Sequence, residues 1–416
     1  MRPASRRLPR VAVPILLLLA PAPAGAQEPP PLRIMAQAIP SATEMDPIPG
    51  GGSLGEAHVV QPIVMLQAAA LGGRLRGTGT FDFEGLTMPD GVLTPGAWGE
   101  GFNDRRHPHT YVHELLLSAV DVLGRLDGSG RLSLTAGKGF APFGSDDPMS
   151  RQVFAYPVNH HLSQILERWV AIAGYRVGPV VLEGGLFDGD EPERPTQWPR
   201  FGGRFGDSWS ARLTLIPLHG VELSASRAKV HSPEHRPGAG TDAWKWHVAG
   251  RFDRAVGPGH GYAMVEWART SEASGFFVFR SVLAEAAWSI GRHHPYYRFE
   301  QSDRPEELRE VDPFRSIRPH LENSILGITR FTLHTVGYGY GFVTAGGRLE
   351  LRPFVEATLG RAVNRGGGVL TPQILYGTTR VRAVSAGVRA SWGFQGHRMG
   401  RYGSLLDPTP RSVHPM

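Results

Sequence analysis

Apolar and polar side chains alternate along much of this chain. In Trp209–Ile216, Trp209, Ala211, Leu213 and Leu215 are interleaved with Ser210, Arg212 and Thr214. In Trp244–Phe252, Trp244, Trp246, Val248 and Phe252 face away from Lys245, His247 and Arg251. Arg348–Thr358 and Ser385–Phe394 repeat the pattern. A period of two sends successive side chains to opposite faces of a sheet. From Val59 on, such segments run about ten residues, longer than the five or six of an ordinary strand. Gly, Pro, Asp and Asn separate them. Beyond residue 26 there is no apolar run of roughly 18 residues, the length a membrane-spanning helix needs.

A soluble sandwich shows the same alternation, with its apolar face on a dry core. Strand length favours a barrel, and so do aromatics such as Trp169, Tyr175, Trp209, Trp244, Trp267, Trp288, Tyr297 and Trp392, which fall toward segment ends as interfacial girdles do. The expected fold is all-β: a transmembrane antiparallel up-and-down β-barrel of about 16 strands, with 14 as the alternative. Tight connections such as Val177–Pro179 and Gly291–His293 take turns with long ones such as Gly85–Thr110 and Ala141–Gln164. Short turns belong to the periplasmic side and long loops to the extracellular side. His58–Leu71 then runs downward, so an upward strand must precede it, and Leu32–Pro40 is the weak candidate.

The first 26 residues read as an export signal: Arg2, Arg6, Arg7 and Arg10, a leucine-rich run from Val11 to Ala20, and the small-residue site Ala24-Gly25-Ala26. Residues 27–57 read as a Pro/Gly-rich leader, 58–394 as the barrel and 395–416 as a C-terminal tail. Without the signal's four arginines, the whole-chain charge of +6 falls to about +2. A basic nucleic-acid-binding surface is therefore not expected. The chain has no cysteine, which excludes disulfide scaffolds and thiol chemistry. The location implied is the bacterial outer membrane. Lipid, lipopolysaccharide and the barrel-assembly machinery are the expected partners, with a homo-oligomer possible.

The alternation assigns lumen-facing charges: Arg212, Lys245, Arg251, Arg298, Arg348, Arg352 and Arg389 against Glu114, Glu222, Glu266, Glu285, Glu300, Glu350 and Glu356. The two signs nearly balance, so no one-sign ring is evident. Asp146, Asp147 and Arg151 lie in Ala141–Gln164, the third extracellular loop of a sixteen-strand barrel, and are the candidates for a constriction, should that loop fold inward. Histidines concentrate in the loops. His107 and His109 share a strand face, and His160 and His161 lie in the next loop, so these four are candidate metal ligands. Hydrogen bonding that pins the loops is the competing reading. No Gly-x-Ser-x-Gly or His-Glu-x-x-His motif is present, so no catalytic residue is assigned and no cofactor is called for. The functional expectation is a porin-like channel for small polar or charged solutes. A metal- or partner-binding mouth and a hydrolase at the rim are the alternatives.

Gly137-Lys138-Gly139-Phe140-Ala141-Pro142-Phe143-Gly144 closes one strand. Together with the Gly387–Phe394 segment, it resembles the Gram-negative porins, including the phosphate-selective group, whose motif maps onto Gly137, Lys138, Pro142, Phe143 and Gly144. Roughly residues 100–310 resemble a set of uncharacterised outer-membrane barrels through Arg105–His109, His160-His161, Asp188–Pro192 and Asp207–Leu213. The chain departs from the phosphate-selective porins in having only three lysines, Lys138, Lys229 and Lys245. It also continues for 22 residues beyond Phe394, where barrels usually end on an aromatic.

Overall fold

A computed structural model describes residues 32–405, apart from 49, 93–108, 126–129, 159, 190–191, 193–194, 200–203, 232–239, 308–324, 345–346, 367, 370 and 394–397. The expected signal segment, residues 1–26, and His107 lie outside the described residues.

Sixteen long antiparallel strands close into a barrel. They are β1 (Leu32–Asp46), β2 (Leu54–Ala70), β3 (Leu75–Asp82), β4 (Val112–Arg125), β5 (Gly130–Gly139), β6 (Arg168–Val177), β7 (Val180–Phe187), β8 (Ser208–Leu218), β9 (Val221–His231), β10 (Asp242–Val256), β11 (Gly259–Glu272), β12 (Phe277–Ser289), β13 (His293–Glu307), β14 (Ile325–Tyr340), β16 (Leu349–Gly366) and β17 (Arg380–Trp392). A two-residue strand, β15 (Phe342–Val343), continues β14 along the edge of β16. Each strand pairs with its sequence neighbours, and β1 pairs with β17 through partners such as Ala38 and Ala390. The sheet has no free edge, so every ladder group of the wall can be satisfied without water.

The weak segment at Leu32–Pro40 is thus a full strand of 15 residues. Pairing also begins at Leu54 in β2, so most of the expected leader belongs to the wall.

The barrel is inside-out relative to a soluble protein. In β7, Leu182 is 56% exposed while its neighbour Glu183 is 2% exposed. Leu115, Leu117, Leu213, Val265, Val336, Val355, Leu359 and Val384 likewise point outward. Inside lie Ser118, Thr135, Arg212, Glu266, Glu285, Arg298 and Glu356. A sandwich would bury the leucines and expose the charges, so that reading is overturned. Apolar outside and charged inside, the closed sheet is an outer-membrane β-barrel. The long connections gather at one rim and the short turns at the other.

Arg348 departs from the lumen assignment. It sits exposed in the turn before β16, where its carbonyl accepts from Gly393 N at 3.0 Å. The apparent alternation ran one residue beyond the end of the strand. The remaining charges of the set face inward.

Candidate functional site

Among the described residues, two segments carry most of the polar contacts inside the lumen. The first is residues 140–167, the third connection at the long-loop rim. It leaves β5 through the Gly-Lys-x-x-x-Pro-Phe-Gly motif. Gly144 has φ +73°, and a Cβ there would lie 1.6 Å from the Ser163 carbonyl oxygen. Only glycine permits this close turn, which folds the chain back against itself. Asp147 then caps the short turn Pro148–Ser150, accepting from Met149 N at 2.7 Å.

From there the loop reaches walls all around the barrel. Gln37 of β1 donates to Met149 O at 3.4 Å. Arg151 lies 3.4 Å from Glu266 of β11 and donates to Ser145 Oγ at 2.9 Å. Glu356 of β16 accepts from Phe154 N and Ala155 N at 2.9 and 3.0 Å. Arg389 of β17 donates to Arg151 O at 3.2 Å. The constriction candidates Asp146, Asp147 and Arg151 are all buried inside the barrel.

The second segment was not foreseen as part of the lumen. After β17 the chain turns inward, and residues 398–405 pack between the third loop and the wall of β4, β5 and β6. Met399 and Tyr402 join Met35, Met65, Leu116, Phe140 and Phe143 in one apolar cluster. Arg398 donates to both oxygens of Asp146 at 2.7 Å and pairs with Glu222 of β9. Arg401 Nε reaches Asp146 at 3.1 Å, and Tyr402 OH donates to Glu114. Met399 N donates to Ser150 Oγ at 3.1 Å. Asp146 also receives Arg251 of β10 at 3.1 Å.

One loop carboxylate therefore ties the tail and the wall together. Burial disfavours its charged form, but Arg398, Arg251 and Arg401 outweigh that and hold Asp146 well below the usual carboxylate range. Burial likewise opposes charge on Arg398, yet Asp146 and Glu222 keep its affinity for the proton above normal. Buried pairs of this kind add little net stability when intact, but breaking one strands a charge.

Lys138, carried over from the phosphate-selective motif, is buried. It is held by Thr110 Oγ1 and Val112 O and lies 3.9 Å from Glu167. It anchors the rim and is not presented to a solute.

The histidines divide. His109 and His160 are buried with ring centroids 5.9 Å apart, and His161 lies 4.9 Å from His160. Yet His109 Nδ1 is turned toward carboxylates, 3.2 Å from Glu84 Oε2 and 3.7 Å from Asp82 Oδ2. Lys245 donates to the carbonyl of His161. The cluster around His109 recruits Asp82 and Glu84, which the sequence reading missed. An Asp-x-Glu placed where a strand ends in a long loop was the available signal.

No family model matches the chain, and no curated protein matches it. Several solved structures are similar in fold. One is an anion-selective porin from Comamonas acidovorans, at 12% identity over 87% of this chain and 99% of that one, with a TM-score of 0.48. Another is the outer membrane channel DcaP of Acinetobacter baumannii, at 12% identity over 87% of this chain and 97% of that one, also at 0.48. A third is the trimer form of OmpT, an outer membrane protein of Vibrio cholerae, at 10% identity over 87% and 99%, with a TM-score of 0.45.

Proposed function

We propose that this barrel is a porin-like channel that lets small polar or charged solutes diffuse across the outer membrane. A single observation carries the reading: a closed sixteen-strand wall, charged on its inner face, whose third loop folds inward and touches β1, β8, β9, β11, β13, β16 and β17. A wall of this size encloses more space than its own side chains fill. The inserted loop takes up part of that space and makes the constriction, with Asp146, Asp147 and Arg151 as the charged members that hold it in place, since at 0–2% exposure they present scarcely more surface to a solute than Lys138 does. Arg251, Arg352 and Arg389 are among the lumen cations that keep some solvent contact, and they mark the solute path along the wall from β10 to β17. The path favours anions at Arg389, whose acceptors, Gln37 Oε1 at 3.3 Å and the Arg151 carbonyl at 3.2 Å, are neutral, whereas Arg352 and Arg251 are offset by Glu350 and Asp253. No catalytic role is assigned.

Single-channel recording of the folded mature protein in planar bilayers tests this reading. Discrete open steps with a reversal potential on the anion side are expected. Silence from a correctly folded barrel would overturn the channel, and cation selectivity would overturn the arginine-lined path.

A further inference from the structure

The buried cluster at the long-loop rim has a different chemistry from the constriction. Asp82 ends β3, Glu84 opens the short helix α1 (Glu84–Thr87), and His109 returns from the second long loop just before β4. All three are 0–2% exposed. Each carboxylate has one oxygen fixed by the backbone. Asp82 Oδ1 accepts from Glu84 N at 2.8 Å, and Glu84 Oε1 accepts from Gln61 N at 3.0 Å. Their second oxygens face His109. Asp82 Oδ2, Glu84 Oε2 and His109 Nδ1 all lie within 4.8 Å of one another, with Nδ1 at 3.2 Å from one oxygen and 3.7 Å from the other.

We propose that these three side chains bind one divalent transition-metal ion of the zinc class, which ties the second long loop to the end of β3. The donor set is right for such an ion. One imidazole nitrogen and two carboxylate oxygens are borderline and hard ligands, and bond lengths of roughly 2.0–2.2 Å are reached from these positions with small closing movements. The backbone donors behind each carboxylate hold the ligand oxygens in orientation, as the surroundings of metal sites do. A hydrogen on Nδ1 bonds well to one oxygen at a time, whereas a cation takes both oxygens and the nitrogen together.

A second observation lies beside the site. The ring of His113 packs edge-on to His109 at a centroid distance of 4.8 Å. Among the described residues, buried His113 Nε2 and Asp147 Oδ2 have no hydrogen-bond partner and stand 4.0 Å apart. These two atoms are not among the three ligand atoms that lie within 4.8 Å of one another, so they flank the site without being its ligands. This site differs from the four-histidine set read from the sequence. It keeps His109, replaces its partners with Asp82 and Glu84, and leaves His161 out.

The test is metal content. The full mature chain is folded in detergent, loaded with Zn2+, dialysed against metal-free buffer and measured by elemental analysis. Cobalt(II) loading supplies a visible spectrum that reports coordination geometry. Wild type is expected to retain about one equivalent. His109→Ala and the nearly isosteric Glu84→Gln should retain less than a tenth of that, while His231→Ala, altered at a histidine paired with Asp242 elsewhere, should retain it all. Heat-modifiable gel migration checks that each variant is a folded barrel. Absence of retained zinc in folded wild type overturns the proposal and leaves a hydrogen-bonded triad. Equal retention by His109→Ala, or equal loss in His231→Ala, overturns it too. None of these readouts depends on conductance, so the channel reading stands or falls separately.

Discussion

Two buried carboxylate clusters hold the segments that line the inside of this barrel, and they use different cationic partners. In mid-lumen, Asp146 is gripped by Arg398, Arg251 and Arg401. At the rim, Asp82 and Glu84 turn toward the imidazole of His109. A guanidinium keeps its charge at any accessible pH and forks onto carboxylates. An imidazole can be neutral, and its ring nitrogen is a metal ligand. The first cluster is a permanent clamp built wholly from the chain. The second is a set of three side chains that the proposed ion would draw together.

The largest expected effect comes from removing one side of the clamp. Ending the chain after Phe394 deletes Arg398, Arg401 and Tyr402 and empties the space they fill. Single-channel conductance should rise several-fold, and an unchanged conductance would show that the tail lies off the conducting path. Next comes Asp146→Asn. It leaves three arginines short of their shared acceptor, and breaking a buried pair typically costs about 3–5 kcal/mol. Urea unfolding should shift to lower concentration, and the reversal potential should move further toward anions; no shift in either would demote Asp146 to a bystander.

A smaller effect is set by pH. A carboxyl with a depressed folded-state value contributes stability above its unfolded value, near 3.9 for aspartate. That stability is lost only as pH falls through the folded value. Asp146 is depressed, so the clamp should hold through the ordinary carboxylate range and release only below it. Conductance steps should match at pH 7 and pH 5; opening at pH 5 would contradict the arginine grip. The smallest effect belongs to Arg348→Ala. This exposed turn residue should leave conductance and selectivity unaltered, where Arg352→Ala, four residues on and on the lumen face, should reduce anion preference.

The wall was legible because lipid outside and charge inside impose a period of two on β8, β10 and β16. Legibility failed where the lumen is filled. In β1, Met35 and Ile39 face inward, and in β2 so do Ile63 and Met65. Met35, Ile63 and Met65 pack with Phe140, Phe143 and Met149 of the inserted loop. Both faces of these strands are therefore apolar, and the alternation that marks a strand disappears. That is why β1 read as a weak strand inside a leader. That Asp146, Asp147 and Arg151 belong to the third loop was readable from loop order once sixteen strands were counted. The tail was not, because Arg398–Asp146 and Tyr402–Glu114 join positions hundreds of residues apart and leave no local pattern. The metal candidates were half legible: His109 stood out in a histidine-rich stretch, whereas Asp82 and Glu84 looked like an ordinary strand end.

The seam between β1 and β17 sets a schedule for assembly. Ala38 and Ala390 are partners, so the cylinder cannot be sealed until nearly the whole polypeptide has been delivered. Contacts this distant in sequence form slowly, because the loop they close is almost the entire chain. Residues 398–405 follow the last strand yet finish inside the cylinder. Either they are already threaded when the seam zips shut, or they enter afterwards through the short-turn mouth. A pulse-labelling experiment that follows protease access to the tail during folding would tell which event comes first.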